Sequence, residues 1–124
     1  MSPKKILLVE VDSFYIEVIE TFIKLFLQQQ LVSVKWGSAA ALQAVRDEHP
    51  HIVLLDLEAG DTDMLEFAER LRDDALTKKI PILAISHNTK RKDEALGRGC
   101  DAFLVKPFKV RDLEGKITNL LDLP

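Results

Sequence analysis

The tightest constraint in this chain is an unbroken apolar run, Ile52-Val53-Leu54-Leu55, that ends in a carboxylate, Asp56. Four apolar residues without alternation describe a strand buried on both faces, as in a parallel sheet covered by helices. A polar loop follows, Glu58-Ala59-Gly60-Asp61. In open α/β sheets ligands bind in the crevice outside the carboxyl ends of the strands. Asp56 is therefore either a functional carboxylate or a residue that merely caps a turn. On this stretch alone both readings stand.

The rest of the chain repeats the same unit. Lys4 to Val9 reads as a first buried strand, closed by Glu10-Val11-Asp12-Ser13. A long helix from Ser13 to Gln30 follows, with Ser13 as its N-cap. Tyr15, Val18, Ile19, Phe22 and Phe26 form its core stripe, and Ile16, Ile23 and Leu27 widen it on one flank. That flank is expected to be partly exposed and to dock a partner helix. Leu31 to Trp36 gives a second strand, and Gly37-Ser38 turns into a helix through Glu48 that Pro50 stops. Trp36 reads as a core or rim aromatic.

Beyond the central strand, Thr62 or Asp63 caps a third helix through Arg72, with Leu65, Ala68 and Leu71 facing inward. Ile80 to Ile85 is a fourth strand that tolerates Pro81 at its start. Asn88 to Arg98 is a polar helix burying Ala95 and Leu96 and ended by Gly99. Ala102 to Val105 is the fifth strand, and Val110, Leu113, Ile117, Leu120 and Leu121 mark an amphipathic last helix. Five βα units call for one doubly wound α/β domain over residues 1–124, with a parallel sheet, right-handed crossovers and helices on both faces.

Composition narrows the functional classes. The formal net charge is −3, from 17 basic and 20 acidic residues, which argues against direct binding to nucleic acid or an anionic membrane. The single cysteine, Cys100, excludes an internal disulfide, fits a reducing cytoplasmic compartment, and reads as an inert small hydrophobe. The first apolar run is too short for a signal peptide or a membrane span. His49, His51, Lys90, Arg91 and Lys92 read as solvated, and His87 as a surface residue at the rim of the crevice opposite Glu58.

Parallel strands bring four polar strand ends to one edge: Glu10 and Asp12, then Asp56, Ser86 and Lys106. Carboxylates, a hydroxyl and an ammonium around one crevice suit a divalent cation and a phosphoryl group. Hard cations such as Mg²⁺ take oxygen ligands, commonly one or two carboxylates completed by waters and phosphate oxygens. Transfer of a phosphoryl group to a carboxylate needs an in-line acceptor and charge compensation on the equatorial oxygens.

The chain resembles the receiver domains of two-component response regulators over nearly all of its length. The resemblance rests on five motifs in the family's order: Leu7-Leu8-Val9-Glu10, Val53-Leu54-Leu55-Asp56, Pro81 to Ser86, Gly99 to Phe103, and Lys106-Pro107-Phe108. It implies a flavodoxin-like sheet of five parallel strands in the order 2-1-3-4-5 with five helices. It implies that Asp56 is the phosphoacceptor, that Lys106 pairs with the phosphoryl oxygens, and that Ser86 follows the phosphate. Phe103 falls at the family's aromatic switch position, and the Lys106–Pro107 bond is one the family holds cis. The implied Mg²⁺ ligands are Glu10, Asp12, Asp56 and the Glu58 backbone carbonyl. The implied partners are a sensor histidine kinase or phosphotransfer protein and a downstream effector. Such a chain is not an enzyme in the ordinary sense, although it assists its own phosphorylation and dephosphorylation.

Three positions depart from that pattern. Val11 stands where the family has the acid that ligates the metal directly, so Mg²⁺ binding is expected to be weak unless Asp12 substitutes. Gly60 replaces a usual proline and Met64 a usual glycine. A phosphorylation-independent pseudo-receiver that acts as an interaction module is thus a second reading. A haloacid-dehalogenase-type phosphatase is a third, because Glu10-Val11-Asp12 resembles its DxD signature. It would put glutamate at the nucleophile position and leaves little chain for a cap. A flavodoxin-type cofactor binder would need a glycine- or hydroxyl-rich phosphate loop after the first strand, where this chain is acidic.

Overall fold

The computed structural model describes residues 3–34, 38–60 and 63–122. Five strands, β1 (Lys5–Val9), β2 (Gln30–Val34), β3 (Ile52–Asp56), β4 (Ile82–Ser86) and β5 (Ala102–Val105), alternate with five helices, α1 (Ser13–Phe22), α2 (Ser38–Glu48), α3 (Met64–Asp73), α4 (Lys92–Gly97) and α5 (Val110–Leu121). The sheet order is β2-β1-β3-β4-β5. Every pairing is parallel: Leu7 lies opposite Val53, Leu54 opposite Leu83, and Ala84 opposite Phe103. The five-stranded, doubly wound order expected from the resemblance is the one observed.

The pleat sorts the apolar runs into two cores, because successive side chains of a strand point to opposite faces. Leu7, Val9, Val53, Leu55, Ile82 and Ala84 pack with Ala41 and Val45 of α2, Leu65, Ala68 and Leu71 of α3, and Ala95 of α4. Ile6, Leu8, Ile52, Leu54, Leu83 and Ile85 pack on the other face with Ile19 and Phe22 of α1 and Leu113 and Ile117 of α5. Both faces of β3 are covered, and all five of its residues are buried. This explains why its run shows no alternation.

Several local expectations are corrected. The N-cap of α1 is Asp12, whose carboxylate accepts the Phe14 N–H at 2.9 Å, so Ser13 is already inside the helix. The long first helix ends at Phe22 and continues as a π-helical turn over Ile23–Leu27, closed by Gln28 in the left-handed region (φ 54°). A π turn is wider than an α turn, so it rotates Phe26 outward and Leu27 inward. Phe26 is 73% exposed rather than core. Ile23 is wholly buried, whereas Ile16 and Leu27 are only partly buried against the second core, so the flank expected to be partly exposed packs toward the sheet and keeps part of that exposure. In α5, Val110 is exposed while Leu113 and Ile117 carry the contact, and Leu96 of α4 is exposed as well. Asp63 caps α3 through Leu65 N–H as expected. Trp36, Gly37 and the alternative cap Thr62 lie outside the described residues.

The polar segment after β4 starts as a 3₁₀ turn, Thr89–Arg91, capped by the Asn88 side chain, and only then becomes α4. Gly99 ends this unit at φ 111°, a conformation that L side chains rarely adopt. A Cβ there would also sit 3.0 Å from Cγ of Arg72. The Lys106–Pro107 peptide is cis. No helix among the described residues is long and apolar enough to cross a membrane.

Candidate functional site

The carboxyl ends of β1, β3, β4 and β5 meet at one crevice, and four polar residues there are buried against the trend for their types. Glu10 and Ser86 are fully buried, Asp56 is 3% exposed and Lys106 5%. Each follows or ends a strand whose apolar residues are locked in the two cores, so their positions are set by the sheet rather than by a loop. The Lys106 N–H also bonds the Ser86 carbonyl at 2.9 Å, which extends the β4–β5 ladder into the site.

Lys106 is the centre. Its Nζ donates to Glu10 Oε2 and to Asp56 Oδ2, each at 3.0 Å, and lies 4.1 Å from the centroid of the Tyr15 ring. An ammonium between two buried carboxylates offsets part of their desolvation cost, and the face of Tyr15 adds a cation–π contact. Phe14 and Phe108 flank Tyr15, with ring centroids 5.3 and 5.7 Å away, and the His87 ring lies 6.1 Å away. Helical spacing puts Tyr15 in the core stripe of the first helix. Its aromatic ring at helical spacing was visible there, but its place over Lys106, 91 positions later, was not.

The electrostatics of the group follow from its burial. Burial, then the adjacent Asp56 carboxyl, pushes Glu10 up from 4.5 to about 7, against the pull of Lys106. Burial works to lower the Lys106 ammonium, but its bonds to Glu10 and Asp56 outweigh this and hold it above its ordinary value. The triad therefore keeps a permanent cation beside Asp56 and a neighbouring acid that titrates near neutrality.

The second half of the crevice is organised by Glu58. Its backbone N–H donates to Asp56 Oδ1 at 3.0 Å. Its carboxylate accepts the Ser86 hydroxyl at 2.8 Å and the His87 backbone N–H at 2.7 Å. The sequence places Glu58 at the crevice as a carbonyl ligand and a charge opposite His87, but the hold of its side chain on Ser86 depends on β4, 28 residues further on. Arg91, expected to be solvated, is one quarter exposed and contacts Glu94 at 3.2 Å and Glu58 and Asp63 at 3.8 Å. His51 is not simply solvated, because its Nδ1 accepts the Lys5 N–H at 2.9 Å. His49 is exposed.

Of the residues named as metal ligands, Glu10 and Asp56 face each other across Lys106. Asp12 is exposed, its carboxylate capping α1 and its N–H bonded to Glu10 Oε1 at 3.1 Å. Val11 is 52% exposed and offers no oxygen. Among the described residues no group of three or more His, Cys, Asp or Glu side chains is arranged to hold a metal. Two carboxylates still meet the minimal demand of Mg²⁺, which commonly keeps several waters. Their oxygens already accept hydrogen bonds, so the donor set fits a cation that retains most of its hydration shell. Phe103 is buried at the edge of the first core and also lines a cleft of about 620 Å³ with Phe108, Arg111 and Lys116.

With Asp12 turned to the helix end, the crevice lacks the paired acids of the phosphatase reading. Comparison with known proteins agrees with the geometry. A sequence profile of the response regulator receiver domain matches residues 6–118. The polar-differentiation response regulator DivK of Brucella ovis is 33% identical over 72 residues, 56% of this chain and 58% of DivK, so the match spans little more than half of that relative. A protein of Chloroflexus aurantiacus J-10-fl superposes with a TM-score of 0.90 at 24% identity, over 98% of this chain and 99% of that one. The receiver domain of the sensor histidine kinase PA1611 of Pseudomonas aeruginosa PAO1, with a magnesium ion in its active-site cleft, superposes at 0.86 with 23% identity over 98% and 99%. At these identities both structures speak for the fold alone. The chain belongs to the response regulator receiver domain family, the signal-receiving domain of two-component systems.

Proposed function

We propose that Asp56 accepts a phosphoryl group from a sensor histidine kinase or phosphotransfer protein, and that residues 1–124 act as a single receiver unit that passes the signal to an effector protein. The observation that carries this is the Lys106 ammonium held 3.0 Å from Asp56 Oδ2 in a buried crevice at the carboxyl edge of the sheet. A carboxylate oxygen of Asp56 forms a bond to phosphorus while the bond from phosphorus to the donor nitrogen or oxygen breaks, and the leaving group departs with that electron pair. No proton has to be taken from Asp56. The Glu58 N–H fixes Oδ1 and Lys106 fixes Oδ2, so the acceptor is oriented before the donor arrives.

The new group carries about −1.5 to −2 charges near neutral pH. Lys106 moves its hydrogen bonds to the phosphoryl oxygens, and Ser86 supplies a hydroxyl to a third. Asp56, Glu10 and the Glu58 carbonyl would hold Mg²⁺, which supplies charge neutralisation on the transferring group. With Val11 in place of a third oxygen ligand, that affinity is weak. The same site then assists hydrolysis of its own acyl phosphate, so the chain is a stoichiometric signal carrier rather than a turnover enzyme. The reading locates it in the cytoplasm, with its donor.

Val11 is the observation that favours the second reading, a phosphorylation-independent interaction module. Incubation with acetyl phosphate, with and without Mg²⁺, followed by intact mass, separates the two. Wild type is expected to gain one phosphoryl group, more with Mg²⁺, and Asp56→Asn none. No mass gain in wild type under any condition favours the interaction module.

A further inference from the structure

Ser86 is wholly buried, and its hydroxyl is already committed. The Oγ donates to Glu58 Oε2 at 2.8 Å and accepts the Asn88 N–H at 3.0 Å. A serine hydroxyl has a single hydrogen, so the same Oγ–H cannot donate to Glu58 and to a phosphoryl oxygen at once. The other carboxylate oxygen of Glu58 takes the His87 N–H at 2.7 Å, so two consecutive residues at the end of β4 are clamped by one side chain of the β3–α3 loop. Arg91 stands 3.8 Å from the same carboxylate and backs the clamp from α4's side.

We infer that Glu58 is a positioning residue that latches Ser86 and His87 to the β3–α3 loop in the unphosphorylated protein, and that a phosphoryl group on Asp56 competes with Glu58 for the Ser86 hydroxyl. The inference rests on the reading of Asp56 as phosphoacceptor and deepens it. Glu58 thereby sets how much of the phosphoryl group's binding energy is consumed in releasing the β4–α4 loop. A hydrogen bond to a charged acceptor is among the stronger ones in proteins. Removing the latch is therefore expected to tighten binding of a phosphoryl mimic roughly ten-fold.

Glu58 also repels any anion at Asp56, so a single variant cannot separate latch from charge. A double-mutant cycle does. Beryllium fluoride in Mg²⁺ buffer is titrated calorimetrically into wild type, Glu58→Ala, Ser86→Ala and the double variant. The latch predicts that Glu58→Ala tightens binding about ten-fold when Ser86 is present and at least three-fold less than that when it is absent. An equal gain in both backgrounds leaves only charge repulsion and overturns the latch while leaving the phosphoacceptor reading intact. Amide hydrogen exchange on the unliganded proteins gives a readout independent of phosphorylation. The His87 N–H is expected to be protected in wild type and to exchange faster in Glu58→Ala, with the β-strand amides unchanged. Equal His87 exchange in the two proteins overturns the latch. Absence of beryllium fluoride binding in all four proteins overturns the phosphoacceptor reading, and the competition with it, whatever the exchange data show.

Discussion

Replacing Glu10 by Gln tests the electrostatics of the crevice without touching the acceptor. Glu10 is fully buried and its carboxyl is raised from 4.5 to about 7, by burial first and by the adjacent Asp56 second. Below pH 4.5 folded and unfolded chains both hold the proton, and the contribution of the shift is fully present. Between 4.5 and about 7 the unfolded chain releases the proton while the folded one keeps it, so stability falls as pH rises. At roughly 1.4 kcal/mol per pH unit, the gap from 4.5 to about 7 corresponds to a loss of about 3 kcal/mol. Other ionisable groups act outside this pH window. Asp63 and Asp74 are lowered from 3.8, so their contribution is present above that pH and lost on further acidification. Lys106 is raised from 10.5, and its contribution is lost only in strong alkali. Urea unfolding at pH 5, 6, 7 and 8 is the assay. Wild type is expected to lose stability across this range, and Glu10→Gln to lose much less. Parallel pH profiles for the two proteins would refute a buried, near-neutral Glu10.

Three further outcomes follow from individual side chains. Val11→Asp restores an oxygen ligand at an exposed position, and Mg²⁺ affinity is expected to rise by about ten-fold, or ~1.4 kcal/mol; equal titrations for both proteins would mean that another group already supplies the ligand. Asp12→Ala removes the α1 cap and is expected to cost about 1 kcal/mol in chemical denaturation, whereas Ser13→Ala should cost far less. Cys100 is buried and its thiol pushed up to about 11, so a thiol reagent at pH 8 is expected to label only unfolded protein; fast labelling of the native state would contradict its burial.

The architecture was legible because each apolar run is followed by a helical segment, and covering both faces of β3 calls for a parallel sheet between helices. The strand-end residues Asp56, Ser86 and Lys106 were legible for the same reason, since parallel strands bring their carboxyl ends together. What sequence periodicity could not reveal was which of two adjacent stripes on α1 faces the sheet. Neither wins outright: of the expected core stripe Ile19 and Phe22 are buried while Phe26 is exposed, and Ile23 and Leu27 of the flank turn inward where the π-helical turn follows α1. Asp12 and Ser13 are both good caps, and the choice between them depends on one residue of helix register. The contacts of Tyr15 with Lys106 and of Glu58 with Ser86 join distant parts of the chain, and no local pattern announces them.

The central claim is that Asp56 carries the phosphoryl group, and chemical trapping tests it at the residue itself. Protein treated with acetyl phosphate and Mg²⁺ is reduced with borohydride, which converts an aspartyl phosphate to homoserine, and the product is sequenced by peptide mass spectrometry. Homoserine at position 56, absent from untreated protein and from Asp56→Asn, is the predicted result. Reduction at Glu10, Asp12 or Glu58 instead, or an unreduced Asp56 after full treatment, would contradict the account.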